Sequence, residues 1–409
     1  MQADVLVIGA GLAGLWSAIL HAQAGRNVTL LAKGHGTLPW SSGCLDLWPH
    51  QPPAELSAHH PFTTLQSALE PATQAWLQFS EQQGYRFVAK RQHAWLPTAI
   101  GTWRPTNAVP LTMINAERSI ISNYRVLVLG FHELRDFFPP LLAARLAEQG
   151  IAARGEYLTM PPSQRSRDFN SVNVARLCEQ ASFRQALIKQ IDQIRGDAQL
   201  LLFPAILGLD QSANIVNELQ TALGCLVAEV PTLPTNVAGL RLQRMLISHF
   251  ERLNGRIQLN AEVIRGEFQN QRLVAVYSAA AAREQCHTAK HYILATGGIG
   301  GGGLRADYPN LLRETALNLP VQQPAARDHW FEHNIHQQHQ LFQAGIAVNQ
   351  QLQPIDAQQQ PIVENLQIVG AALAGCDPIR ERWVEGLALA SATHGVKNIE
   401  HRESMKDEG

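Results

Sequence analysis

The stretch Val5–Gly14, VLVIGAGLAG, constrains this chain more than any other. The apolar run from Val5 to Ile8 has the length and composition of a fully buried strand. Gly9-Ala10-Gly11-Leu12-Ala13-Gly14 follows at once, and Leu15 to Ala24 reads as a helix. Strand, G-x-G-x-x-G and helix in this order form the dinucleotide-binding turn, and each glycine serves a different need. Gly9 permits the tight turn, Gly11 lets the backbone approach a phosphate, and Gly14 lets the helix pack close on the strand. The helix N-terminus then offers unpaired N–H groups to an anion. The stretch reads as a phosphate-cofactor site; a glycine-rich turn without a ligand is the alternative.

The rest of the composition excludes several classes. At 409 residues the chain suits two or three domains. Charged residues make up 16%, against about a quarter in average chains, which implies much buried surface, including surface buried against a partner. A net charge of −1 argues against nucleic-acid binding. Ala3 to Leu20 is apolar enough to imitate a membrane span, but Asp4 and three glycines interrupt it and no basic segment precedes it. Ala198 to Leu209 is too short to span and contains Pro204. The five cysteines are scattered without a C-x-x-C, so neither an iron–sulfur nor a zinc site is expected. Disulfides are not expected in a chain that reads as cytoplasmic. His59-His60 has no acidic or cysteine partner at metal-binding spacing, so no metal is expected.

Further along, Asn27 to Ala32 reads as a second strand. Dinucleotide enzymes usually end this strand with an acid, about 20 residues after the glycines, that holds a ribose hydroxyl. Here Lys33-Gly34 stands in that place. The small-residue loop Ser41-Ser42-Gly43 suits close approach to a flat ring; an ordinary Ser/Gly loop is the alternative. Pro49 to Pro61 reads as linker, Thr64 to Gly84 as helix and Phe87 to Trp103 as a hairpin. A second α/β stretch follows: strands at Tyr124–Leu129, Ile151–Leu158, Gln199–Phe203 and Cys225–Val230, with helices at His132–Gln149, Asn170–Arg195 and Ser212–Leu223. It has no G-x-G-x-x-G of its own. Pro231 to Leu246 reads as a proline-rich connector entering a helix, which stops at Asn254-Gly255. A small antiparallel meander and a return strand ending LATGG, Leu294 to Gly298, complete a flavoprotein-like pattern. The last strand ends at Gly370 and the last helix covers Glu385 to Asn398, with a frayed charged tail from Glu400.

Six segments carry a resemblance: VIGAGLAGL (Val7–Leu15), SSGCLDL (Ser41–Leu47), NSVNVARL (Asn170–Leu177), PTLPTNVAGLRLQ (Pro231–Gln243), LATGG and GCDPI (Gly375–Ile379). In this order they resemble the B-subunit family of anaerobic glycerol-3-phosphate dehydrogenase. The resemblance implies an α/β fold: a Rossmann-like FAD/NAD(P)-binding three-layer domain with an inserted second α/β domain. The expected division is residues 1–50, 240–310 and 360–400 for the discontinuous flavin domain and 51–239 for the insertion. Residues 311–359 are expected to form an irregular connection or cap, and 401–409 a tail.

The resemblance further implies flavin, FMN first and FAD as the alternative. It implies a catalytic A-type flavoprotein subunit and an iron–sulfur C-type membrane-associated subunit as partners. It further implies that glycerol 3-phosphate is oxidised to dihydroxyacetone phosphate with electrons passing to quinone, and that the chain lies in the cytoplasm, peripheral to the inner membrane through a partner. The candidate cofactor-binding residues are Gly9, Gly11, Leu12, Ala13, Gly14, Lys33, Gly34, Ser41, Ser42, Gly43, Val263, Ala295, Thr296, Gly297, Gly370 and Gly386.

One departure stands out. Where the family has a glycine run, this chain has RERWVEG, with Arg382, Trp383 and Glu385 around Gly386. Their side chains are expected to crowd a wall of the flavin pocket, Trp383 stacking on or sealing it and Glu385 repelling an anionic ring. A non-catalytic subunit with a degenerate pocket, and a stand-alone flavin dehydrogenase for another substrate, therefore stay open as alternatives. No catalytic constellation is evident. Arg241 is a candidate phosphate ligand or an interdomain ion-pair residue, and His132, His329 and His336 are acid–base candidates by residue type alone.

Overall fold

The computed structural model describes residues 3–49, 60–161, 169–279, 283–308 and 311–407. In chain order the elements are β1 (Ala3–Ile8), α1 (Leu12–Gln23), β2 (Val28–Ala32), α2 (Pro61–Gln82), β3 (Phe87–Pro97), β4 (Trp103–Pro110), α3 (Arg118–Ile121), β5 (Val126–Phe131), α4 (Pro139–Ala147) and β6 (Ala153–Leu158). Then come α5 (Ser171–Cys178), α6 (Ala181–Ile194), β7 (Leu200–Pro204), α7 (Ser212–Leu223), β8 (Leu226–Val230), α8 (Val237–Arg252), β9 (Arg256–Leu259), β10 (Val263–Gln269), β11 (Arg272–Ser278), β12 (Gln285–His287) and β13 (Ala289–Leu294). β14 (Leu304–Asp307), β15 (Leu311–Glu314), β16 (Leu366–Ile368), α9 (Pro378–Glu381) and α10 (Val384–Asp407) close the chain.

The chain divides into two units. The first comprises Met1–Thr37, Asp46–Trp76 and Met245–Gly409. Its main sheet has the order β16-β13-β1-β2-β9, and every pairing is parallel. β1 is buried almost throughout, as a central strand covered on both faces must be, which explains why its sequence is continuously apolar rather than alternating. On one face α1 packs against α10: Trp16 is fully buried, meets Trp76 edge-on at 5.5 Å, and donates from Nε1 to Thr393 Oγ1. β10, β11 and β12 form a separate antiparallel sheet, the expected meander.

The second unit comprises Leu38–Leu45 and Leu77–Arg244. It holds a parallel sheet of order β6-β5-β7-β8 and the antiparallel pair β3-β4, the expected hairpin. Parallel strands alternating with helices make both units α/β.

Three local expectations change. The helix read from His132 starts only at Pro139. Pro139-Pro140 forces Phe138 into an extended conformation, and proline is at ease in the first helical turn. The helix read over Asn170–Arg195 is two helices, because Gln180 is extended. There the Glu179 carboxylate accepts from the N–H groups of Leu209, Asp210 and Gln211 and so holds the turn into α7. The charged tail continues α10 to Asp407, anchored by Arg26, whose guanidinium lies 2.6 Å from Glu403 and 3.9 Å from Glu400. The linker residues 50–59, with His59, and residues 280–282 lie outside the described residues.

Candidate functional site

The sheet register of the first unit sets the site. β1 lies between β13 and β2, so the chain leaves all three strands at the same edge: Ile8 is level with Leu31 and with Leu294. In an open parallel sheet, ligands bind outside the carboxyl ends of the strands. A cleft of about 340 Å³ opens there, within the usual size of a small-molecule site. Its walls are Ile8–Gly11 after β1, Leu31–Gly34, Gly36 and Thr37 after β2, Glu262 and Val263 at the start of β10, and Ala295–Gly297 with Gly301 and Gly302 after β13. Thr315 and Ala316 complete it.

The three glycines of the turn separate by function. Gly9 has φ +116°, and a Cβ there would lie 2.3 Å from Ala295 O. A Cβ on Gly14 would lie 2.0 Å from Gly9 O. These two are required by the fold. Gly11 has an ordinary extended backbone, φ −78° and ψ −176°, and a Cβ there would meet nothing within 4 Å. The fold places no demand on that space, and it opens into the cleft. Leu12, Ala13 and Gly14 form the first turn of α1, which no side chain caps and which carries no acidic residue. Their N–H groups have no intrahelical acceptor. Thr296 Oγ1, in the cleft wall, is buried without a hydrogen-bond partner. A vacant Cβ position, an uncapped helix N-terminus and an orphaned hydroxyl fit the phosphate-bearing part of a nucleotide cofactor.

Glu314 secures the far wall. Its buried carboxylate accepts from the N–H groups of Ala316 and Leu317 at 2.7 Å and Leu319 at 3.4 Å. Burial pushes its pKa up, against the pull of those backbone bonds. Lys33 and Glu262 face each other at the rim, Nζ to Oε1 2.9 Å.

Comparisons with known proteins show the family. Residues 4–382 match a family model described as FAD binding domain. The chain is 32% identical to the B subunit of anaerobic glycerol-3-phosphate dehydrogenase from Pectobacterium atrosepticum, over 98% of this chain and 99% of that one. It is 30% identical to the corresponding B subunit from Yersinia pestis bv. Antiqua, over 98% of each. The chain belongs to the FAD-binding-domain flavoproteins, among these B subunits. The family is one of flavin-dependent oxidoreductases, and the α/β fold is the one expected. A 3-ketosteroid Δ1-dehydrogenase from Sterolibacterium denitrificans aligns over 98% of this chain and 100% of its own at 10% identity with a TM-score of 0.44, a distant likeness.

Of the residues singled out from sequence, Gly9, Gly11, Lys33, Gly34, Val263, Ala295, Thr296 and Gly297 come together at the cleft. Gly370 stands beside it: φ is +69°, and a Cβ would lie 2.8 Å from the Ala13 Cβ in the first turn of α1. Gly36, Thr37, Glu262 and Thr315 were not foreseen. Gly36 packs against the turn, since a Cβ there would sit 2.9 Å from Gly11.

Ser41, Ser42 and Gly43 belong to the second unit. Ser42 Oγ accepts from Cys44 N, and Gly43, at φ +79°, lets the loop close on α8, where a Cβ would lie 2.3 Å from the Ala238 Cβ. Gly386 is a glycine for packing: a Cβ would lie 2.0 Å from Leu47 O, and its N–H donates to Asp46 O.

The RERWVEG segment does other work than the sequence suggested. Trp383 is fully buried, stacked on His60 and edge-on to Phe62. The Glu385 carboxylate accepts from Asp46 N at 3.0 Å, and Arg382 closes α9 in a left-handed conformation. None of the three is among the residues lining the cleft.

This region also assembles His60, Cys376 and Glu381 with their ligand-type atoms within 4.8 Å of one another, a grouping that spacing along the chain did not reveal. Hydrogen bonds account for it. His60 Nδ1 accepts from Phe62 N, which places the proton of the neutral ring on Nε2, facing Glu381 at 3.1 Å. Glu381 also accepts from Trp383 Nε1 and Asp377 N. Burial raises the Cys376 thiol well above its ordinary pKa, which opposes the thiolate a metal would need. His60 and Glu381 form a hydrogen-bonded clasp between the segment at residue 60 and the entrance to α10.

Arg241 is not a free phosphate ligand. It is buried in the second unit and forms a two-pronged pair with Glu229, Nη1 to Oε2 2.6 Å and Nη2 to Oε1 2.8 Å, while Nε donates to Gly208 O. Burial works to lower its pKa, but the Glu229 charge more than offsets this and the net shift is upward. His132 stacks on Tyr157 at 4.1 Å in the second unit. His329 and His336 are exposed on the first, outside the cleft lining.

Proposed function

We propose that this chain is the flavin-binding subunit of an anaerobic glycerol-3-phosphate dehydrogenase complex. In that complex, sn-glycerol 3-phosphate is oxidised to dihydroxyacetone phosphate and the electrons reach quinone. The observation that carries the reading is the empty Cβ position of Gly11 at the uncapped N-terminus of α1, inside a cleft built by a chain of this family. A bound flavin would supply a two-electron carrier able to release electrons singly. The chain's own part is binding and orientation. The first-turn N–H groups of α1 hold the phosphate end, aided by the positive end of the helix dipole. Thr296, which adjoins Gly9, offers its unpartnered hydroxyl, and Glu314 keeps Thr315 and Ala316 in place. The partners are a catalytic A-type flavoprotein subunit and an iron–sulfur C-type subunit at the inner membrane. No helix among the described residues is long and apolar enough to cross a membrane, so attachment through a partner suits this chain.

Reconstitution tests the assignment. The complex of all three subunits should reduce quinone with glycerol 3-phosphate, whereas the isolated chain should give no such activity. Full activity in the isolated chain, or an undiminished rate in a complex assembled without it, would overturn the assignment.

A further inference from the structure

The amino ends of β11, β13 and β16 surround a cavity of about 780 Å³ that the flavin reading does not use. Arg272 opens β11, Lys290 and His291 lie in the first half of β13, and Glu364 and Asn365 precede β16. Arg402 and Glu403 line the cavity from the C-terminal end of α10. A strand rises about 3.3 Å per residue, so roughly 13 Å of β13 separates His291 here from Ala295 in the cleft. The cavity and the cleft are at opposite ends of the same strand. Hydrogen bonds fix the back wall. Asn365 Nδ2 donates to Leu273 O and Lys290 O, and its Oδ1 accepts from Leu273 N. Glu364 O accepts from Gln353 Nε2 and from Arg402 Nη1. The cations are less fully engaged. Among the described residues, that bond to a carbonyl is the one Arg402 makes, and it meets no carboxylate. Arg272 approaches Glu364 at 3.7 Å, too long for a hydrogen bond. Lys290 Nζ is bonded to Asp4. Glu403 is taken up by Arg26 at 2.6 Å and His291 at 3.5 Å. A guanidinium has five N–H donors and an ammonium three, so donors outnumber acceptors in this cavity.

We propose that this cavity binds the phosphate monoester of a small polyhydroxylated compound, a sugar or polyol phosphate, at a site separate from the cofactor cleft. Arg272, Lys290 and Arg402 come from three different elements, and a phosphate monoester presents three terminal oxygens to them, each bond charge-assisted. A carboxylate offers two oxygens and matches this donor set less well. Glu364 is the acceptor for hydroxyls on the carbon chain, and the amides of Gln271 and Gln360 both donate and accept. No Phe, Tyr or Trp is among the described lining residues, so a nucleotide base lacks the stacking face it usually finds, whereas a sugar or polyol needs none.

Isothermal titration calorimetry on the full-length chain, with glucose 6-phosphate as the probe, tests this. Glucose 6-phosphate should bind, glucose should not, and citrate, which offers carboxylates alone, should bind more weakly. Arg402→Gln should lower glucose 6-phosphate affinity about tenfold, the size expected for a lost charge-assisted hydrogen bond. Arg272→Gln, at a more exposed position, should act in the same direction, and both variants should keep the wild-type circular dichroism spectrum. Gly11→Val changes the cofactor cleft and should bind glucose 6-phosphate as wild type does, so the outcome is independent of the flavin reading. Absence of glucose 6-phosphate binding, equal binding of glucose, tighter binding of citrate, or unchanged affinity in either arginine variant would each overturn the inference. Loss of binding in Gly11→Val would place the ligand in the cleft and overturn it as well.

Discussion

Gly11→Val should leave the protein folded and strip it of flavin. Valine tolerates the extended backbone found at Gly11, and its Cβ meets nothing within 4 Å. The added side chain lies only where a phosphate would lie, against the first-turn N–H groups of α1. The expected purified variant is colourless, with wild-type circular dichroism and a thermal midpoint close to wild type. Gly14→Val should fail differently. Its Cβ falls 2.0 Å from Gly9 O, and neither backbone segment can retreat without opening the contact between α1 and β1. Destabilisation of about 3 kcal/mol is expected, the upper range for forcing extra volume into a packed core. Loss of flavin in Gly14→Val would accompany loss of structure, whereas in Gly11→Val it should not. Full flavin content in folded Gly11→Val would remove the basis of the phosphate site.

The second large effect lies far from any cofactor chemistry. Arg241→Met leaves Glu229 as an unpaired charge in a position that is fully buried. Removing one partner of such a pair costs about 3–5 kcal/mol, because the surviving charge is stranded in low dielectric. Glu229 also accepts from Leu207 N, and Arg241 also donates to Gly208 O, so the pair ties β8, α8 and the turn before α7 together. Urea unfolding of Arg241→Met should show an early transition for part of the signal, since the chain has two units and need not unfold in one step. The double variant Arg241→Met/Glu229→Leu should recover part of the loss but not all, because Leu207 N and Gly208 O stay unpaired. Flavin content should be unchanged in both. A stable Arg241→Met that had lost affinity for a phosphate ligand would restore the phosphate-binding reading of this residue.

The contrast between these sites shows what a sequence reveals. The β1–turn–α1 segment was legible because its chemistry is local: strand, glycines and helix follow each other within 23 residues, and each glycine has a steric reason that period and spacing convey. Glu262 was not legible. It lies 229 residues from Lys33 along the chain, and only the adjacency of β2 and β9 brings them together. The same holds for Trp383, whose bulk suggested a pocket wall until His60 and Phe62 were found packed on it. Arg241 looked available because charge alone was visible; its partner sits on β8, on the other side of the proline connector. The late start of α4 was readable, since Pro139-Pro140 announces it, but amphipathic spacing upstream outweighed that signal. The split at Gln180 was not, because the cause is a carboxylate reaching 30 residues forward to Leu209.

Flavin content of the purified full-length chain tests the central claim most directly. Acid release followed by identification of the freed cofactor should yield stoichiometric flavin from wild type and none from Gly11→Val. A correctly folded wild-type chain that neither carries flavin nor takes it up when supplied would contradict the account.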